Sequence, residues 1–123
     1  MTARTVAHDY YAGFEGEPEL SLVRTNARGH QVVFTMWEGY FDRIIELIQP
    51  GPNGWTGLSL PYHTVTGWWE DPNWQIPNVQ EVLDQLEGLS RASLPETERQ
   101  ILDALVKFIR EGIRAGDVLH IRS

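Results

Sequence analysis

Glu70 and Asp71 follow Trp68 and Trp69 directly and precede Trp74, and in this stretch the side-chain types could do chemistry. Two carboxylates among indoles could act as general acid and base if the rings raised one pKa by desolvation, as in carbohydrate-active sites that join acids to stacking aromatics. Adjacent acids followed by Pro72 are equally the composition of a solvated turn. An indole offers a broad apolar face and one N–H donor, the profile of a contact anchor, and nearby carboxylates attract a cation over distance. These residue types fit a surface that holds a basic protein better than they fit a catalytic pair.

The surroundings point the same way. From Ile44 to Ser90 there is no Lys or Arg, yet these 47 residues hold four of the five tryptophans (Trp55, Trp68, Trp69, Trp74) and six carboxylates (Glu46, Glu70, Asp71, Glu81, Asp84, Glu87). A second acidic string, Glu15, Glu17 and Glu19, is broken by Gly16 and Pro18. If the fold carries it to Glu70 and Asp71 the fields sum, and Glu15 and Glu17 become steering charges for a cationic partner. Adjacent indoles in an extended segment face opposite sides, so one of Trp68 and Trp69 is expected to enter the core and the other to face solvent. Trp55, flanked by Gly54 and Gly57, reads as a plug for its loop, and Trp37, Tyr40 and Phe41 read as core.

Other chemistries find no support. His8, His30, His63 and His120 show no metal-ligand spacing, and a site assembled from His63, Glu70 and Asp71 would have to come from loop folding. Cysteine is absent, which removes disulfides, thiolate metal sites and a cysteine nucleophile, and fits a reducing cytosol. No nucleophile elbow, phosphate-cradling glycine loop or dinucleotide fingerprint occurs, so neither an enzyme nor a cofactor is expected. A net charge of -7 argues against phosphate-backbone binding and so against a nucleic-acid partner. Residues 1–9 carry no apolar run of signal-peptide or membrane-span length, so a cytoplasmic protein without membrane contact is expected.

The positioning elements belong to one domain, residues 1–123, with an expected α+β fold: a small antiparallel sheet packed against about three helices, or else a mostly α arrangement. Val6–Tyr11, Leu20–Thr25 and Gln31–Met36 are β-compatible runs, and the turn residues from Asn26 to Gly29 suit a hairpin between the last two. A helix competes from residue 31 onward, since Val33, Met36, Trp37, Tyr40, Ile44 and Ile48 follow three-and-four spacing. The β-branched Val32, Val33 and Thr35 tip residues 31–36 toward strand and leave a helix over Glu38–Gln49. Residues 50–77 hold five prolines and four glycines, so no regular element longer than a few residues is expected there. Asn78 with Glu81 has capping-box spacing for a helix stopped by Gly88, and Ser93 with Glu96 repeats it for a helix running to about Ala115. Val118–Ile121 then reads as a closing strand.

The segment Gly67 to Pro77, running into the capped helix from Asn78 to Leu89, resembles a pattern in small immunity proteins of bacterial polymorphic-toxin and contact-dependent growth-inhibition systems; the likeness spans roughly Trp37 to Leu89. It implies a cytoplasmic protein that binds a cognate toxin domain and occludes the toxin's active site stoichiometrically; in isolation a monomer or homodimer is expected. Acidity suits a basic, nuclease-type toxin. The expected contact residues are Trp68, Trp69, Glu70, Asp71 and Trp74, with Glu15 and Glu17 peripheral, in an interface burying on the order of 1,600 Å². The alternatives are a small hydrolase or carbohydrate-binding module using the Trp and carboxylate loop, and a scaffold subunit or homodimer in which the tryptophans close a self-interface. An enzyme should place these residues in a concave pocket, an inhibitor on a flat or convex face.

Overall fold

The turn after Asn26 organises the centre of the sheet. Asn26 Oδ1 accepts hydrogen bonds from the backbone N–H groups of Arg28 (2.9 Å) and His30 (3.0 Å), which closes the turn and sets β2 (Glu19–Thr25) against β3 (Gln31–Trp37) in antiparallel register. The computed structural model describes residues 4–52, 54–64 and 66–123, with all their side chains except that of Trp69.

The remaining elements are β1 (Arg4–Tyr10), α1 (Glu38–Ile45), α2 (Ser59–Thr64), a 3-10 turn (Gly67–Trp69), β4 (Asn73–Gln75), α3 (Val79–Glu87), α4 (Glu96–Ala115) and β5 (Val118–Arg122). The sheet order is β1-β3-β2-β5-β4, and the fold is α+β. An all-antiparallel sheet does not form: β3 inserts between β1 and β2 and runs parallel to β1. The cause lies in the connections. A tight turn forces β2 and β3 to be neighbours, whereas residues 11–18 between β1 and β2 are long enough to step over a strand, a gap of roughly 10 Å. The mostly α arrangement fails at residues 31–37, where strands pair on both sides of the β-branched run.

One sheet face backs the core. Leu20, Leu22, Phe34, Met36, Leu119 and Ile121 meet Phe41, Ile44, Leu83, Leu86, Leu102, Leu105 and Ile109 of the helices in one cluster. Each fully buried side chain of this size contributes about 1.5–3 kcal/mol. On the opposite face Val23 and Val33 pair across the strands, and Ser21 Oγ donates to Thr35 Oγ1 at 3.0 Å.

The described residues of segment 50–77 carry only short elements, the longest of them α2 with six residues. Pro61 is tolerated in α2 because it lies in the first turn, where its missing N–H has no intrahelical partner. α1 ends at Ile45 rather than Gln49, though Ile48 remains buried. Asn78 Oδ1 caps α3 by accepting from Glu81 N–H at 3.1 Å, but the Glu81 carboxylate does not reach back to Asn78. It accepts instead from Gly57 N–H at 2.8 Å and ties the long connection to the helix. Ser93 does not cap α4, which begins at Glu96 after an extended Pro95.

Candidate protein-binding surface

The tryptophans divide between core and surface. Trp68 is 2 % exposed and meets Phe41 edge-on, with ring centroids 5.7 Å apart. It is therefore a core residue and is corrected out of the expected contact set. The ring is sealed because the 3-10 turn presses residue 68 against α1. Trp74 is half-buried in β4, 5.6 Å from the Trp68 ring. The Trp69 side chain lies outside the described residues; its backbone completes the 3-10 turn. Trp55 is half-buried and stacks on His63 at 3.7 Å, so the plug of the loop is built from two rings.

Glu70 and Asp71 are exposed in the turn that follows, where their N–H groups both donate to Gly67 O. Asp71 Oδ1 accepts from Asn73 N–H at 2.9 Å, so part of this carboxylate starts β4. Sheet register then places the two acidic strings. Asn73 and Ser21 both pair with Arg122, so the start of β4 and the start of β2 lie at the same end of the sheet, two strand spacings or roughly 10 Å apart. Glu15, Glu17 and Glu19 precede Ser21 at that end, and all three are exposed. The fold brings both strings to one end of the molecule without placing them in contact.

Two features at this end were missed by the sequence reading. The first is an aromatic cluster. Phe14 stacks on Trp37 at 4.7 Å with ring planes 5° apart, and Tyr40 meets both edge-on at 5.4 and 5.2 Å. Trp37 and Tyr40 are thus half-buried surface aromatics rather than the core residues their helical spacing suggested. Trp37 closes β3 and passes straight into α1, so it leaves the sheet where the core ends.

The second feature is a carboxylate ladder on α1. Glu38, Asp42 and Glu46 stand four residues apart and so share one helix face. Burial first, and then the charges of Glu38 and Glu46, together lift the pKa of Asp42 from 3.8 to about 6. Burial also raises Glu38. Tyr62 of α2 donates its O–H to Glu46 Oε1 at 3.2 Å, and burial together with the charges of Asp42 and Glu46 pushes the phenol up to about 12. Arg43, the one cation of α1, is turned away. Its guanidinium binds the buried Glu98 of α4 at 2.6 Å and lies 5.9 Å from the Trp37 ring centroid. The four-residue spacing was legible in the sequence; that nothing on the helix neutralises it was not.

Beyond Tyr62 the surface becomes concave. A cavity of about 330 Å³ lies between α2, the 3-10 turn, β4 and the start of α3, lined by Trp55, Leu60, Pro61, Trp74, Ile76 and Val82 among others. Glu81 is the one acid among its described lining residues, and it already holds Gly57 N–H. Among the described residues no group of three or more His, Asp or Glu is placed to hold a metal ion. No described helix is long and apolar enough to cross a membrane. Comparison with protein-family models, with curated proteins and with solved structures found no match.

Proposed function

We propose that this protein is an immunity-type inhibitor, which binds a basic toxin domain stoichiometrically and blocks its active site or substrate access. The observation that carries the reading is the uncompensated Glu38–Asp42–Glu46 ladder. Like charges four residues apart destabilise a helix, so a fold that keeps three of them and directs its nearest arginine elsewhere retains a feature that opposes its own stability. A cationic partner relieves that repulsion. Glu15, Glu17, Glu70 and Asp71 extend the negative potential along the same end of the sheet, where they speed capture of a basic protein. Phe14, Trp37 and Tyr40 supply the aromatic contacts that such interfaces depend on, joined by Trp74 at the other edge.

Catalysis is less well supported. Acid–base hydrolysis needs two carboxylates across a pocket, and the described lining of the Trp55–Trp74 cavity offers Glu81 alone. The test is growth rescue on co-expression with candidate toxin domains taken from the reading frames that neighbour this gene. The native chain should restore growth, and a Glu38→Lys, Asp42→Lys, Glu70→Lys variant that remains folded should not. Absence of rescue by the native chain overturns the reading, and full rescue by the reversed variant removes the acidic end as its interface.

A further inference from the structure

The cavity bounded by Trp55 and Trp74 has a mostly apolar lining. Its rim is nonetheless specific. Trp55 is fixed by its stack on His63, Trp74 lies over Gly67, and Glu81 is pinned by the Gly57 N–H through one carboxylate oxygen. The other oxygen keeps its acceptor capacity.

We propose that this cavity receives a single arginine side chain of the basic partner, stacking the guanidinium on indole and pairing it with the free oxygen of Glu81; the assignment deepens the inhibitor reading and rests on it. Three observations carry it. A volume of about 330 Å³ is at the small end of ligand pockets, roughly 300–1,000 Å³, and suits one side chain rather than a peptide. Indole faces attract a planar cation more strongly than other rings do, and a carboxylate fixes its orientation. Finally, no Lys or Arg lies between Ile44 and Ser90, so none of the chain's cations comes from the segment that forms the cavity. The start of α3 opposes a cation with about half a positive charge, against the full negative charge of Glu81. The mouth stays net negative. It also continues from the α1 ladder, since Glu46 bonds Tyr62 and Tyr62 follows Leu60 and Pro61 of the lining.

The experiment titrates the isolated, indole-labelled protein by NMR with the acetylated amides of arginine, citrulline and leucine. The arginine compound should shift the Trp55 and Trp74 indole signals saturably in the millimolar range, and the uncharged citrulline isostere should bind about tenfold more weakly. Glu81→Gln, which keeps an acceptor for Gly57 N–H, should remove that difference. Absence of saturable shifts at either ring, or equal binding of arginine and citrulline, overturns the assignment. A preference for leucine does so too, by marking the cavity as simply apolar. Because no toxin is present, failure here alongside intact growth rescue removes the cavity assignment alone, whereas saturable arginine binding without rescue removes the toxin reading.

Discussion

Asp42 sits one helical turn from Glu38 and one from Glu46, half-buried, and its carboxyl is raised to about 6 by burial first and by those two charges second. A folded pKa above the unfolded one means that the folded chain binds more protons between about pH 4 and pH 6. Stability therefore falls as pH rises through that window, and above it the repulsion is fully present. Solvent screening of a half-exposed group limits the effect to on the order of 1 kcal/mol. Asp42→Asn should raise the stability measured by urea unfolding by about that amount near pH 8 and by almost nothing near pH 4. An equal gain at both pH values would show that charge is not the cause. Gly67 makes the opposite point about a residue that cannot change. Its φ is +64°, and a Cβ there would stand 2.8 Å from the Pro61 side chain and 3.1 Å from the Trp74 ring. Gly67→Ala should cost roughly 1–3 kcal/mol in the same assay and shift Trp74 fluorescence. Neither constraint is visible in composition, because each depends on what the fold places across from the residue.

α1 is the element on which the two demands of the surface meet. Its inner face buries Phe41, Ile44 and Ile45, its outer face carries the ladder, and Arg43 reaches to Glu98 at 2.6 Å, locking the helix to α4. Glu98 is 2 % exposed, so removing Arg43 leaves a buried carboxylate without its ion-pair partner. Arg43→Ala is expected to lower stability by about 1–3 kcal/mol, the range for a buried charged group that loses a partner, moderated by the exposure of the guanidinium. Adding Glu98→Gln should recover most of that loss in chemical denaturation; a purely additive double variant would mean the pair is not what couples α1 to α4. Elements with local signals were readable in advance: the β2–β3 hairpin from Asn26 and Gly29, and α3 from its cap Asn78 to its stop at Gly88. β4 and the parallel β1–β3 pairing were not, since both form against partners far along the chain, β4 against β5 and β1 by insertion of β3.

At the scale of the whole molecule, the sequence disclosed two acidic strings and a cluster of indoles but not their meeting place. That Glu15 and Glu17 share a sheet end with Glu70 and Asp71 follows only from β2 and β4 both pairing with β5. Trp68 belongs to the core, and the half-buried Phe14, Trp37 and Tyr40 form the aromatic cluster on another edge. Both acidic strings thus gather at one end of the sheet, with Arg122 on the strand between them, which makes a kinetic prediction sharper than an affinity one. Charges that stay outside the final contact steer the approach and barely alter the lifetime of the complex. Reversing Glu15, Glu17, Glu70 and Asp71 to lysine should slow association with the basic partner by roughly tenfold at low salt, with the dissociation rate little changed. The difference should shrink as ionic strength approaches the physiological range, where the screening length is about 8 Å and falls below the roughly 10 Å between the two strings. Stopped-flow measurement across a salt series reads both quantities. An association rate that ignores both the reversal and the salt would mean that the negative end of the sheet does not guide the encounter.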